Sequence, residues 1–139
     1  MTDAPVQLMV HVGPKRAEKL WAEPLGGTRY RLRSIPFLAT GMSLGDVVEA
    51  IDGRVEKVLE RGGHSTFRLK LRDHPTPAAF AALWAPLAAL GCVCESTSGG
   101  IFAVDVPSAA DLGRVNAALE RGITAEDWDV EPADVRLRN

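Results

Sequence analysis

Apolar and polar residues alternate with a period of two through much of the first 60 residues, which predicts short β-strands. In Thr28 to Ser34, for example, three arginines share one face, and Tyr30 and Leu32 share the other. Asp52-Gly53 predicts a tight hairpin, because both central positions of the favoured turn need a positive φ. The predicted strands are 7–12, 19–23, 28–34, 46–51 and 55–60. They favour a small antiparallel β-barrel-like lobe.

From Ser65 onward the pattern predicts strands and helices in turn. A strand to Leu71 precedes a helix that begins at Thr76-Pro77 and keeps apolar residues at helical spacing until Gly91. A second helix, with Ser108 and Asp111 in a capping arrangement, ends at Gly122. The remaining predicted strands are 92–97, 101–106 and either 128–131 or 135–138. This order is βαββαβ, the ferredoxin-like plan.

The predicted fold class is therefore α+β. Residues 1–64 form the barrel-like lobe and residues 65–139 the ferredoxin-like lobe, as one continuous compact unit. We expect the two lobes to share the strand that follows His64. The three tryptophans are expected to pack in or beside the cores, although the acids around Trp128 leave an exposed acidic patch open as an alternative.

Composition sets limits on function. The chain has 139 residues, 46% of them hydrophobic and 24% charged, as in globular proteins, and its net charge of -2 argues against general nucleic-acid binding. The amino terminus lacks a signal-peptide pattern, and the uncharged stretch from Pro77 to Cys94 predicts a buried helix rather than a membrane span. Cys92 and Cys94 are expected to remain free thiols in a reducing cytoplasm.

The best candidate for chemistry is the run from Arg61 to Thr66. Gly62 and Gly63 allow a ligand to approach the backbone closely, and an imidazole such as that of His64 is the side chain best suited to general acid or base catalysis near neutral pH. Ser65, Thr66 and Asp46 are the candidate supporting residues of a catalytic site. The alternative is structural: the glycines supply a strand corner and His64 bonds to a turn.

Two rows of basic residues are candidates for binding an anion or an acidic partner. The first row, on the predicted third strand, is Arg29, Arg31 and Arg33. The second, on the strand after His64, is Arg68, Lys70 and Arg72, and the members of each row share one face. If the strands are neighbours, the faces form one cationic surface; the alternative is a solvated face balanced by acids such as Glu56 and Glu60. The predicted ligand- or partner-binding residues are Arg29, Arg31, Arg33, Arg61, Gly62, Gly63, His64, Arg68 and Lys70.

No cofactor or metal site is expected. The three histidines are far apart in sequence, the cysteines stand alone, and no phosphate-binding or dinucleotide-binding motif occurs.

Six short segments together resemble the small bacterial proteins of the domain-of-unknown-function family DUF 4265. The resemblance extends from about residue 19 to residue 131 and implies this architecture and a cytoplasmic bacterial setting, with no established activity. The segments are Lys19-Leu20-Trp21-Ala22, Ile35-Pro36-Phe37, Leu44-Gly45-Asp46-Val47-Val48, Gly63-His64-Ser65-Thr66-Phe67-Arg68, Leu90-Gly91-Cys92 and Val104-Asp105-Val106-Pro107.

Three functions are left open. The first is a non-catalytic bacterial binding protein, an immunity-type or accessory factor, that engages a protein partner or a small anionic ligand. The second is a small hydrolase or lyase in which His64 acts as general acid or base. The third is a small-molecule sensor with its site between the lobes. A homodimer is compatible with each.

Overall fold

A computed structural model describes residues 4–96 and 100–135. Within them lie nine strands and two helices. In chain order they are β1 (Val6–Gly13), β2 (Arg16–Gly26), β3 (Arg29–Leu32), β4 (Val47–Ile51), β5 (Arg54–Glu60), β6 (Ser65–Leu71), α1 (Pro77–Ala89), β7 (Val93–Ser96), β8 (Ile101–Val106), α2 (Leu112–Thr124) and β9 (Trp128–Asp134).

The first five strands form a closed barrel. Consecutive strands pair antiparallel, and β1 closes the barrel against β5, where the Met9 amide donates to the Gly53 carbonyl at 2.7 Å. The hairpin between β4 and β5 turns at Asp52 and Gly53, whose φ values of 52° and 78° are both positive, as predicted. Inward side chains fill the barrel: Leu8, Val10, Leu20, Ala22, Leu32, Ala39, Val48 and Ala50.

The remaining strands form a second, four-stranded sheet in the order β7-β8-β6-β9, with every neighbouring pair antiparallel. Helices α1 and α2 supply the apolar partners for one face of this sheet. The predicted Thr76 cap is present, with its hydroxyl accepting from the Ala79 amide at 3.2 Å, and α1 continues through Pro86. The α+β class and the small barrel are confirmed.

The expected shared strand is not what the structure shows. Strand β6 pairs with β8 and β9 and takes no part in the barrel. Once β1 has paired with β5, the barrel has no open edge to which β6 could add. Glu60 ends β5 and Ser65 begins β6, so residues 61–64 connect the two sheets.

Several local predictions need correction. Asp111, not Ser108, caps α2, and α2 continues to Thr124 instead of ending at Gly122. Trp21 is half exposed because it alternates with inward-facing Leu20 and Ala22 on the barrel wall. Trp128 is buried under α2 and donates to the Leu119 carbonyl at 3.1 Å, so the tryptophan is not part of a surface patch, whereas Glu126, Asp129 and Glu131 around it are exposed. The predicted last strand at 135–138 lies outside the described residues except for Val135, and β9 takes the 128–131 alternative, extended to Asp134.

None of the described helices has the length and apolar content that a membrane span requires.

Candidate functional site

The two lobes meet over a row of buried polar side chains in the second sheet. Thr66 of β6 has Asp105 of β8 and Asp134 of β9 as its cross-strand partners, and all three residues are buried. Because neighbouring strands are about 4.8 Å apart, the two aspartates stand roughly 10 Å apart with Thr66 between them. The row faces away from the helices, since Phe67 and Leu69 occupy the helix side of β6. We call Asp105, Thr66 and Asp134 the junction row.

Ser43, in the connection between β3 and β4, closes one end of the junction row. Its hydroxyl donates to Asp134 Oδ2 at 2.5 Å and lies 2.7 Å from Thr66 Oγ1. A serine hydroxyl has a single proton, and Ser43 donates it to Asp134. The Thr66 hydroxyl is therefore the donor in its hydrogen bond with Ser43 Oγ. This chain of hydrogen bonds joins the barrel lobe to the sheet.

Asp46 and Arg61 complete this closed end. The Asp46 carboxylate is buried and accepts from the backbone amides of Gly62 at 2.7 Å and Ser43 at 3.0 Å. Arg61 donates to the Gly41 carbonyl at 2.6 Å and places Nη1 3.7 Å from Asp46 and 3.8 Å from Asp134. A cation shared between two buried carboxylates offsets part of the cost of burying their charges.

His64 lies at the other end of the junction row, against Asp105. Its Nδ1 is 2.9 Å from both carboxylate oxygens of Asp105. The histidine side chain is 24% exposed, whereas Asp105 is almost fully buried. Burial raises the pKa of the Asp105 carboxyl above its usual value, and the hydrogen bond and charge of His64 act in the opposite direction. We call these two residues the His64–Asp105 pair.

The glycines beside His64 permit close packing of the backbone. A Cβ on Gly62 would lie 2.7 Å from the Gly45 carbonyl oxygen, and one on Gly63 would lie 2.9 Å from Ser108 Cβ. Gly63 also has a φ of 88°, which disfavours other residues. Both glycines therefore have a structural use at the junction.

The predicted catalytic residues do not form one cluster. Ser65 is buried on the helix side of β6, whereas Thr66 on the opposite face is bonded to Ser43. Asp46 bonds to the backbone of Ser43 and Gly62, and the carboxylate that contacts His64 is Asp105.

The two basic rows lie in different sheets and do not form one sheet face. Most of their members are engaged by acids or carbonyls. The ion pairs are Arg29 with Glu60 at 2.9 Å, Arg33 with Glu23 at 2.7 Å, Arg68 with Glu131 at 3.3 Å and Arg72 with Asp129 at 2.8 Å. Arg31 has Glu23 as its cross-strand partner, and Lys70 has Asp129.

Arg68 also fixes the loop that crosses the sheet. It donates from Nε to the Phe37 carbonyl and from Nη2 to the Ala39 carbonyl at 2.8 Å. From the other side, the Glu18 carboxylate accepts the amides of Phe37, Leu38 and Ala39 at 2.6, 3.1 and 3.0 Å. These bonds hold residues 37–39 in place and leave the Leu38 side chain 42% exposed.

Beside this loop lies a groove of about 530 Å³, which we call the inter-lobe groove. An adjoining depression of about 290 Å³ shares Arg68, Ile101 and Glu131 with it and extends past Lys70. The groove is lined by Arg16, Glu18, Phe37 and Leu38 from the barrel lobe and by Arg68, Ile101 and Glu131 from the sheet.

The sequence reasoning missed Asp105, Ser43, Asp134 and Glu18. For Asp105 a signal existed, because an acid between Val104 and Val106 in an apolar strand needs a buried partner. The roles of Ser43 and Glu18 depend on residues about 20 or more positions away, and no local pattern reveals them.

Across the described ranges 4–96 and 100–135, no group of three or more His, Cys, Asp or Glu side chains is arranged to hold a metal ion.

Fold and site together define a mixed α+β protein, mostly strands, with a closed five-stranded barrel and a second sheet covered by two helices. The model of the family described as "Domain of unknown function (DUF4265)" matches residues 18–130, and the chain belongs to this family. A search of curated proteins finds no match.

The fold is also similar to a solved structure described as "Novel crystal structure of a hypothetical protein from Neisseria gonorrhoeae". The two share 17% sequence identity with a TM-score of 0.79, and the alignment covers 98% of this chain and 99% of the other. At this level of identity the similarity concerns the fold alone.

Proposed function

We propose that this protein is a binding protein that engages a protein partner through the inter-lobe groove. The observation that carries the proposal is the groove itself, about 530 Å³ in volume and built from both lobes. That volume is within the range of about 300–1,000 Å³ found for ligand sites. Leu38 and Ile101, which are 42% and 38% exposed, give it apolar contact area.

The side chains of the groove favour a segment with both apolar and acidic groups. Phe37, Leu38 and Ile101 offer an apolar surface. Arg16 takes part in none of the ion pairs of the described part of the chain. An arginine without an internal partner is suited to a carboxylate, which it can bind through two parallel hydrogen bonds. The adjoining depression lengthens the surface and suits an extended peptide segment better than a compact ligand.

Within this proposal the protein is a bacterial immunity-type or accessory factor acting in the cytoplasm. The free thiols of Cys92 and Cys94 are compatible with a reducing compartment. We also assign the second lobe to the ferredoxin-like class, which the order β6-α1-β7-β8-α2-β9 and the strand order β7-β8-β6-β9 support. A small anionic ligand, or a sensor function in the same groove, is the second candidate, favoured by Arg16.

The test begins with native mass spectrometry of the protein purified from its own cells, followed by titration with whatever co-purifies. We expect Leu38→Asp and Ile101→Asp to weaken binding at least about tenfold, because each introduces a charge into apolar contact area. Ile51→Asp is the matched control, since Ile51 is 41% exposed on β4 and is not among the residues that line the groove.

A protein partner sensitive to the groove variants supports the proposal, and a small molecule with the same sensitivity supports the sensor function instead. A partner that binds both groove variants as tightly as the wild type, or that is equally weakened by Ile51→Asp, contradicts the groove as the binding surface.

A further inference from the structure

We infer that the His64–Asp105 pair forms a second, chemically active site, in which Nε2 of His64 acts as a general base for the hydrolysis of a neutral ester. This activity goes beyond the proposed binding function and uses no residue of the inter-lobe groove. Four observations lead to it.

The first is the orientation of the imidazole. Both Asp105 oxygens are 2.9 Å from Nδ1, so the carboxylate accepts the Nδ1 proton and the neutral ring keeps its lone pair on Nε2. A buried carboxylate that orients a histidine in this way also stabilises the imidazolium formed when Nε2 takes a proton. Asp105 is therefore a positioning residue and His64 is the base.

The second observation is that the His64 side chain is partly exposed and that its Nε2 is not engaged within the described residues. In the described part of the chain, the hydrogen bonds of the His64 side chain are to Asp105 through Nδ1, and the side chain is 24% exposed. Gly45 faces the same edge of the ring, where a Cβ would lie 3.6 Å from Nε2. A side chain at position 45 would begin in van der Waals contact with this edge, so glycine leaves more of the edge uncovered.

The third observation concerns the nucleophile. No described hydroxyl is within hydrogen-bonding distance of Nε2, since Thr66 is bonded to Ser43 and Ser65 faces the helices. A base without a side-chain nucleophile beside it acts on water. The expected reaction is therefore hydrolysis, without a covalent enzyme intermediate.

The fourth observation concerns the charge of the substrate. The junction holds three buried aspartates, Asp46, Asp105 and Asp134, and Arg61 contacts two of them, Asp46 and Asp134. When His64 is neutral this group is electronegative, and a negative site repels an anionic substrate. A neutral ester suffers no such repulsion.

The step balances without a further reactant. Nε2 removes one proton from water as the water oxygen bonds to the acyl carbon, the bond from that carbon to the ester oxygen breaks, and the proton on Nε2 passes to the departing alkoxide. The Nδ1 proton stays between His64 and Asp105 throughout.

The test uses the full chain with p-nitrophenyl acetate as the neutral probe ester. We expect His64→Gln to lower the rate by about 10²–10⁴, the usual contribution of a general base. His11→Gln and His74→Gln are matched controls, because both histidines are exposed and lie far from Asp105 in the sequence, and neither is expected to change the rate. A wild-type rate no higher than that of His64→Gln, or an equal loss in either control, overturns the inference.

The positioning role of Asp105 has its own readouts. Asp105→Asn is expected to lower the rate and to raise the share of neutral imidazole protonated on Nε2 in ¹⁵N NMR, because the carboxylate that accepts the Nδ1 proton is gone. If that variant does not fold, ¹⁵N NMR of the wild-type imidazole still decides, since a neutral ring protonated on Nε2 contradicts the assignment. A negatively charged p-nitrophenyl ester that reacts as fast as the acetate contradicts the proposed substrate class.

Discussion

At the scale of single residues, burial changes the chemistry of the two cysteines. Cys92 is buried in the core of the second lobe, and Cys94, two residues later, is half-buried against the same core. Burial is the main reason that the pKa of the Cys92 thiol is raised to about 11, with Asp105 and Cys94 adding to the effect. Because the thiolate is the reactive form, a raised pKa makes a cysteine inert.

This predicts slow alkylation of Cys92 by iodoacetamide. A shift from 9.0 to about 11 leaves roughly 100-fold less thiolate at pH 8, so the folded protein should react about 100-fold more slowly than the urea-unfolded protein.

The stability contributed by the neutral thiol of Cys92 is fully present below the unfolded-state pKa and is lost as pH rises through about 11.

The measurement uses Cys94→Ser, in which Cys92 is the only thiol, and the complementary Cys92→Ser variant. Cys94 is expected to react faster than Cys92 because it is less buried, although burial raises its pKa as well. Equal rates for folded and unfolded Cys92 would show that the thiol is not protected by the core.

At the scale of elements, a glycine sets the packing of α2 on β9. Gly122 lies within α2, and a Cβ at this position would be 2.2 Å from Cε2 of the Trp128 indole. The indole occupies the space that a side chain on the helix would need and donates to the Leu119 carbonyl. Gly122 therefore serves close packing and does not end the helix.

Gly122→Ala should consequently destabilise the protein by about 1–3 kcal/mol or more, as overpacked cores do. Gly113→Ala is a control in the same helix, where the new Cβ would meet only the exposed Asp111 carboxylate, 3.3 Å away. There we expect a change of no more than about 1 kcal/mol, because alanine favours a helix over glycine while the contact with Asp111 Oδ1, which caps the helix, opposes that gain. Urea unfolding measures both, and a similar loss in the two variants would contradict this packing.

At the scale of the whole molecule, polar contacts rather than a shared strand connect the lobes. Ser43 bridges to Thr66 and Asp134, Arg61 spans two buried aspartates, and Arg68 holds the loop at residues 37–39. Each buried polar group in this network needs its hydrogen-bond partner, because a buried polar group that loses its partner lowers the free energy of unfolding. The barrel lobe and the second sheet are therefore expected to unfold together.

Ser43→Ala tests this connection. Removing the hydroxyl leaves Asp134 and Thr66 each without one bond, which should cost about 1–3 kcal/mol in the free energy of unfolding. Ser34→Ala is the control, because its hydroxyl is half-exposed and accepts from the Trp21 amide within the barrel lobe. A loss in Ser34→Ala equal to that in Ser43→Ala would argue against a special role for the junction.

The sequence alone determined the features that depend on near neighbours. Strand alternation, the turn at Asp52-Gly53 and the Thr76 cap follow from backbone preferences and from hydrogen bonds a few residues apart. The βαββαβ order of elements after residue 64 followed in the same way from the change of period. His64 was singled out because its residue type and the glycines before it are visible without a structure.

Only the tertiary structure decided which distant residues meet. Closure of the barrel, the choice of Asp105 over Asp46 as the partner of His64, and the engagement of Arg68 by a loop about 30 positions away all depend on strand order and register. A period of two in the sequence shows which residues of a strand share a face, but it does not show which other strand lies beside that strand. Pairing between strands that are distant in the sequence therefore determined which charges and which exposed surface surround His64.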